Sequence, residues 1–198
     1  MRIPSVCHNP VRGLLACGLL GVACPAPALA EGPEALERYL AEHVRPLLTD
    51  ELLLDSIRSQ NLRTLGFSQE EIERLDLLWR QQVGTDNAPV VQAAIDNPLA
   101  DWLRQWRDTS DDLIHEAFVM DLVGLNVAAA DPTSDYWQGD EPEHATAISQ
   151  GIYIGELEFD ESGRRYQVEV SLPIRDPRTG EIIGAFALGL DPGVFLAD

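Results

Sequence analysis

Asp135-Tyr136-Trp137-Gln138-Gly139-Asp140-Glu141 sets two neighbouring aromatics between carboxylates. That composition suits binding rather than bond-making. Aromatic rings supply flat apolar area with one polar handle each, as a pocket wall requires. Carboxylates beside them would hold an amine head group, and an ammonium over Tyr136 or Trp137 would gain cation–π attraction. Neighbours in an extended segment point oppositely, so one ring is expected in a pocket and the other in the core. Asp140 is read both as a ligand contact and as the cap of a short helix that follows. Tyr153 opens a strand just after the loop and belongs to the same wall. Trp102, Arg104, Trp106 and Arg107 share an earlier helix. There Arg104 would grip a ligand carboxylate through two parallel hydrogen bonds, with Trp106 beside it. The ligand-binding candidates are therefore Tyr136, Trp137, Asp140, Tyr153, Arg104 and Trp106.

Catalytic signals of similar clarity are absent. The chain has no Ser-centred elbow, phosphate-cradling glycine loop or zinc helix. His43, His115 and His144 share no metal-ligand spacing. Carboxylate pairs are too abundant for any one to mark acid–base chemistry. A calcium loop would need regularly spaced oxygen ligands closed by a Glu. The expectation is a non-enzyme without cofactor or metal.

Residues 1–30 read as a cleaved signal peptide. Arg2 and Arg12 form the basic region, Gly13 to Cys24 the apolar one, and Ala28-Leu29-Ala30 the cleavage site. The apolar run is shorter than the roughly 20 residues that span a bilayer. Leu14-Leu15-Ala16-Cys17 resembles a lipobox but sits too close to Arg12, and Cys24 lacks the usual preceding Leu. Lipid anchoring is thus the weaker reading and a periplasmic protein the stronger. All three cysteines, Cys7, Cys17 and Cys24, lie in this leader, which removes disulfides and thiol chemistry from residues 31–198. Removing Arg2 and Arg12 leaves 12 basic side chains, all Arg, against 33 acidic ones, a net charge of −21. Such a surface repels nucleic acid and anionic lipid.

The remaining chain reads as one domain, helical over 34–110 and sheet over 113–191. Leu36, Tyr39, Leu40, Val44, Leu47 and Leu48 recur at helical spacing, with a kink or a junction of two helices expected at Pro46. Ser68-Gln69-Glu70-Glu71 is a capping box that opens a helix ending near Gly84. Asn97-Pro98 opens another. From Leu113 the period changes to two. Gly124 and Asn126 punctuate a turn, with Asp121 and Asn126 fixing it through local hydrogen bonds. A short helix is expected over 140–148. Three strands follow, with a turn at Asp176-Pro177-Arg178-Thr179-Gly180 and glycines 184 and 189 inside the last, where a bulge or close backbone approach is expected. The pattern predicts an α+β fold: a five-stranded antiparallel sheet, the long N-terminal helix on one face and the aromatic loop closing the other.

With these elements in place the chain resembles the extracytoplasmic Cache sensor domains, PAS-like (PDC-type) folds found outside bacterial receptors. The resemblance is carried by Phe118 to Val127, Thr133 to Glu141, Gly155-Glu156-Leu157-Glu158-Phe159 and Ile183 to Asp191. It implies a stand-alone single-Cache form with a pocket between sheet and loop for a small metabolite: an amino acid, amine or carboxylate. Most such domains lie between two membrane helices. This chain stops at Asp198 without a second anchor or output module, so signalling is expected through a separate membrane receptor or kinase. The amino-acid signature of the double-Cache receptors is not evident, so no ligand is carried over. The alternative is a ligand-free interaction module whose amphipathic N-terminal helix pairs with itself, as a homodimer, or with a receptor.

Overall fold

The computed structural model describes residues 32–160 and 164–195. The signal-peptide reading of residues 1–30 lies outside them. Helices come first: α1 (Gly32–Tyr39), α2 (Glu51–Thr64), α3 (Gln69–Gln82), α4 (Pro89–Ile95) and α5 (Pro98–Asp108). Strands β1 (Ile114–Asp121) and β2 (Asn126–Ala129) precede α6 (Pro142–Gln150). Strands β3 (Tyr153–Asp160), β4 (Arg165–Arg175) and β5 (Ile182–Leu190) complete a sheet ordered β2-β1-β5-β4-β3, antiparallel throughout. This is the expected α+β, PAS-like arrangement.

Local sequence accounts for most boundaries. Ser68 and Glu71 form the reciprocal capping box that starts α3. Asn97 accepts from the Ala100 amide, with Pro98 at the first helical position of α5. The N-terminal helix continues through a π turn (Leu40–Val44), and the junction expected at Pro46 is where a 3-10 turn (Arg45–Thr49) takes over. Pro46 sits in the first turn of that last piece, where its missing N–H costs nothing. The break comes at Asp50, whose carboxylate accepts from the Leu52 amide and starts α2. Helix α4 is an addition; its seven residues, Pro-Val-Val-Gln-Ala-Ala-Ile, are too few for a clear periodicity.

The two faces of the sheet are filled differently. On one, α1, α2 and α5 bury Leu36, Leu40, Leu53, Ile57, Leu99 and Leu103 against Val119, Val170, Leu172, Phe186 and Leu188. On the other, α6 seats Ala147 on Phe118, Met120, Ala185 and Ala187, with Ile95 of α4 packed beside them. A Cβ at Gly184 would lie 2.2 Å from the Met120 carbonyl oxygen, so this glycine is what lets β1 and β5 close up.

Asp121, at the end of β1, is fully buried. Its Oδ1 accepts from the amides of Val123 (3.0 Å) and Leu125 (2.9 Å), which folds the β1–β2 turn. Its Oδ2 accepts from Thr64 Oγ1 (2.8 Å) and Gln60 Nε2 (3.1 Å), which docks α2. Replacing Asp121 by Ala strands the Val123 and Leu125 amides and leaves Gln60 Nε2 and Thr64 Oγ1 only their bonds to backbone carbonyls. Bonds to a charged group contribute roughly 1.5–3 kcal/mol each and are not additive, so the expected loss is about 3 kcal/mol or more. Thermal denaturation followed by circular dichroism should show a melting point lower by roughly 6–12 °C. An unchanged melt would remove Asp121 from this role.

Candidate functional site

The sheet face that carries α6 is only partly covered. Beyond the small side chains of Ala185 and Ala187 the helix ends, and a cleft opens in two adjoining lobes of about 410 and 670 Å³. Strand alternation decides what faces it. Glu116 and Phe118 come from β1, Gln167 and Glu169 from β4, and Tyr153 and Glu158 from β3. Glu143 of α6 and Glu141 before it form the wall shared by both lobes. Pro132, Thr133, Ser134 and Gln138 close the far side.

That far side is a loop held from beneath. Asp76 of α3 accepts from the Tyr136 amide (2.9 Å) and the Trp137 amide (3.1 Å) with one oxygen. Its other oxygen pairs with Arg80 at 2.5 Å. Trp79 Nε1 donates to the Thr133 carbonyl at 2.9 Å. Asn126 Nδ2 donates to Thr133 Oγ1 (2.7 Å) and to the Asp135 carbonyl (3.0 Å). The turn and the loop meet at Gly124 and Gly139, where a Cβ on Gly124 would lie 2.4 Å from the Gly139 backbone. Gly124 also has a φ of +91°, a conformation that favours glycine.

The electrostatics of the cleft are one-sided. Burial first, and then the neighbouring carboxylates Glu169, Glu141 and Asp140, push the Glu143 carboxyl up to about 7, against the pull of its own backbone amide. Burial and the charges of Asp140 and Asp135 also raise Glu141. The Tyr153 hydroxyl is raised by burial and by surrounding glutamates. Gln167 is 6% exposed, lines both lobes, and its Oε1 has no hydrogen-bond partner. His115 lies beside it and its Nδ1 is likewise without a partner of bonding geometry. Burial and the Arg165 guanidinium hold that imidazole below its ordinary value, against Asp191, whose Oδ2 lies 3.6 Å from Nε2. Burial also lowers His144, whose Nε2 lies 3.1 Å from the Asp121 carbonyl. No cluster of three or more His, Asp or Glu suited to a metal ion occurs among the described residues.

Of the six residues singled out from the sequence, Tyr153 lines the cleft. Tyr136 turns away and stacks on Trp79, with ring centroids 5.4 Å apart, in the small core between α3 and α4. Trp137 is half-buried, and its Nε1 donates to the Val123 carbonyl at 2.9 Å. Asp140 is exposed, and the cap position of α6 is taken by Glu141, without a side-chain bond. Arg104 and Trp106 are on α5, across the sheet from the cleft. Arg104 Nη1 donates to the carbonyls of Ile95 (2.8 Å) and Ala130 (3.2 Å), and its other nitrogen pairs with Asp101. Trp106 packs on Trp102 and Phe186. Gln167, Glu143, Glu169 and Glu116 were not singled out. Period-two alternation of polar residues opposite the apolar set of β1 and β4 marked Glu116, Gln167 and Glu169, whereas Glu143 lies on α6 and carried no such signal.

No family model matches the chain, and no curated protein matches it. Solved structures of sensor domains do resemble it. The sensor domain of the histidine kinase DctB from V. cholerae aligns over 80% of this chain and 59% of its own, at 14% identity and a TM-score of 0.39. The ligand-binding domain of the Campylobacter jejuni chemoreceptor Tlp3, in complex with 4-methylisoleucine, aligns over 82% of this chain and 60% of its own, at 14% identity and a TM-score of 0.39. The E. coli DcuS sensor domain aligns over 74% of this chain and 96% of its own, at 18% identity and a TM-score of 0.39. The chain thus spans less than two thirds of the first two. At these identities and TM-scores the likeness assigns neither ligand nor partner. No helix among the described residues is long and apolar enough to cross a membrane.

Two outcomes follow from the site's geometry. A Cβ on Gly139 would lie 2.2 Å from Trp137 Nε1 and 2.5 Å from the Val123 carbonyl oxygen. Gly139→Ala should therefore lower the melting point, by an amount typical of overpacking, about 1–3 kcal/mol. The second outcome concerns pH. Glu143 titrates at its ordinary 4.5 in the unfolded chain and at about 7 in the folded one. Its contribution to stability is full below the lower value and is lost as pH rises through the upper one. Glu143→Gln should match the parent's melting point near pH 4.5 and exceed it near pH 8. Equal melts across that range would contradict the burial of this carboxyl.

Proposed function

We propose that this chain is a periplasmic, Cache-type sensor domain that binds a small molecule without transforming it and acts through a signalling partner. The observation that carries this reading is Gln167: a buried amide beside His115 whose oxygen makes no hydrogen bond of full geometry and faces a cleft large enough for a metabolite. An unmatched acceptor costs free energy that a bound donor would recover. A cleft of several hundred Å³ with a few convergent polar groups is the usual form of a small-molecule site. The loop over it rests on Asp76, Trp79 and Asn126 rather than on the ligand, so the site is largely preformed.

The position of the cleft also favours a reporting role. Glu116 lies on β1, next in sequence to His115, which faces Asp191 at the chain's exit from β5. The exit turn, Pro192–Phe195, packs against α1, with Phe195 3.7 Å from the position of a Cβ on Gly32. Both ends of the domain therefore meet at one place, and a shift of the sheet reaches them together. A ligand moves such an equilibrium only by its difference in affinity for the two states. The alternative, an interaction module using the N-terminal helix, needs an apolar stripe left open. Leu36, Tyr39, Leu40 and Val44 are instead buried within the domain.

A thermal-shift screen of the purified protein against amino acids, amines, carboxylates and purines tests the reading. A ligand at a hundredfold excess over its Kd should contribute about 2.7 kcal/mol. The shift should disappear in Gln167→Leu. No shift across the panel, or one that Gln167→Leu leaves intact, would defeat it.

A further inference from the structure

The two edges of the sheet are treated differently. At the β2 edge the aromatic loop takes the place of a further strand. The Asn126 amide donates to the Tyr136 carbonyl at 3.0 Å, and the Gln138 amide to the Gly124 carbonyl at 2.7 Å. At the other edge β3 pairs with β4 alone among the described residues, so alternate residues present their N–H and C=O outward. A bulge interrupts the ladder after Ile154, and the edge is regular from Leu157 on. Opposite residues of an antiparallel pair share a face. The register sets Ile154 against Val170, Leu157 against Val168 and Phe159 against Tyr166. Val168 and Val170 belong to the core beneath the N-terminal helices. That cover stops short of β3: Ile154, Leu157, Phe159 and Tyr166 are each half or more exposed. The last two meet edge to face, with ring centroids 5.2 Å apart.

A strand edge open along its backbone and apolar on one face is a template for a further strand. The opposite face selects which strand. Glu156 and Glu158 are exposed there, and neither forms an ion pair with a described residue. Strand β3 carries no basic side chain. A second copy is therefore a poor match. Antiparallel pairing centred on Leu157 sets each Glu156 against a Glu158, and pairing centred on Glu158 sets two copies of it face to face. Like charges directly opposite are destabilising, and the whole chain carries a net charge of −19. A strand with Lys or Arg at alternate positions satisfies both faces. Its bases stand against the glutamates and its apolar side chains against Leu157 and Phe159.

We propose that β3 docks a partner protein by strand addition: an extended segment of the partner, alternating basic and apolar side chains, lengthens the sheet at this edge. Main-chain hydrogen bonds supply affinity in this mode, and the alternate side chains supply specificity. Glu156 and Glu158 act in two directions at once. They bar the edge to another copy of this chain and draw in a basic strand. Docking needs no small molecule in the cleft, because the edge is formed in its absence.

The test is fluorescence anisotropy of the purified protein with a fluorescein-labelled octapeptide of alternating arginine and valine, matched in length to β3. A peptide of the same composition with all its arginines before its valines carries the same charge without the alternation. It should bind about tenfold more weakly. An alternating glutamate and valine peptide should not bind. Glu156→Gln with Glu158→Gln, and separately Leu157→Asn, should each weaken the alternating peptide about tenfold. Glu70→Gln with Glu73→Gln, exposed on α3, should leave it unchanged. Hydrogen exchange should slow at β3 amides when that peptide is bound. No binding, equal binding of the two arginine peptides, an equal loss in the α3 variant, or protection outside β3 would overturn the proposal. So would a dimer in sedimentation equilibrium that Leu157→Asn dissociates, since a second copy would then hold the edge. The assay contains no small molecule, so its failure leaves the sensor reading standing, and an empty ligand screen leaves strand addition standing.

Discussion

A buried carboxylate with no cation beside it is costly unless every lone pair is occupied. Asp121 meets that condition, and the domain is arranged around how it does so. Two donors come from the turn that follows it, Val123 and Leu125, and two from α2, Gln60 and Thr64. Its backbone carbonyl faces His144 of α6. One residue at the end of β1 thus ties a helix on each face of the sheet to the turn between β1 and β2. That turn in turn presents Gly124 to Gly139, and so sets the height of the loop that borders the cleft.

The cleft exists because the two faces of the sheet were given different side chains. On the helical face, large aliphatic residues interdigitate and leave no room. On the other, Ala185, Ala187 and Gly189 of the central strand β5 admit α6 at one end and leave the other uncovered. Polar residues at alternate positions of β1, β3 and β4 then face a partly dry space. Burying a carboxyl there, beside other carboxylates, opposes folding, as the raised Glu143 shows. Stability is commonly sacrificed in this way where a surface is shaped for binding.

The loop aromatics illustrate how one composition serves two ends. Tyr136 and Trp137 have the flat, amphipathic surface of pocket residues, yet Trp79 and the β1–β2 turn take up both rings. Their contribution to the cleft is positional. They fix the loop so that Thr133 and Gln138 border the opening. Arg104 serves similarly on the far side of the sheet, joining the end of α4 to the end of β2 through two carbonyls.

Much of the fold is legible in the sequence, because its determinants are local. The capping box at Ser68, Asn97-Pro98, the change from helical to alternating period at Leu113 and the turn at Asp176 to Gly180 each act through neighbours in the chain. Alternation along β1 and β4 also fixes which residues share a face. Sequence did not decide which of the two faces stays open, since that depends on where α6 lands and on how closely Ala147 can approach Ala185 and Ala187. Nor did it decide the direction of Tyr136, because Trp79 is remote in the chain and only packing brings it within stacking distance. The partnerless oxygen of Gln167 is likewise invisible in one dimension. Local patterns specify elements and faces; only three-dimensional packing determines which polar groups find partners and which are left facing a cavity.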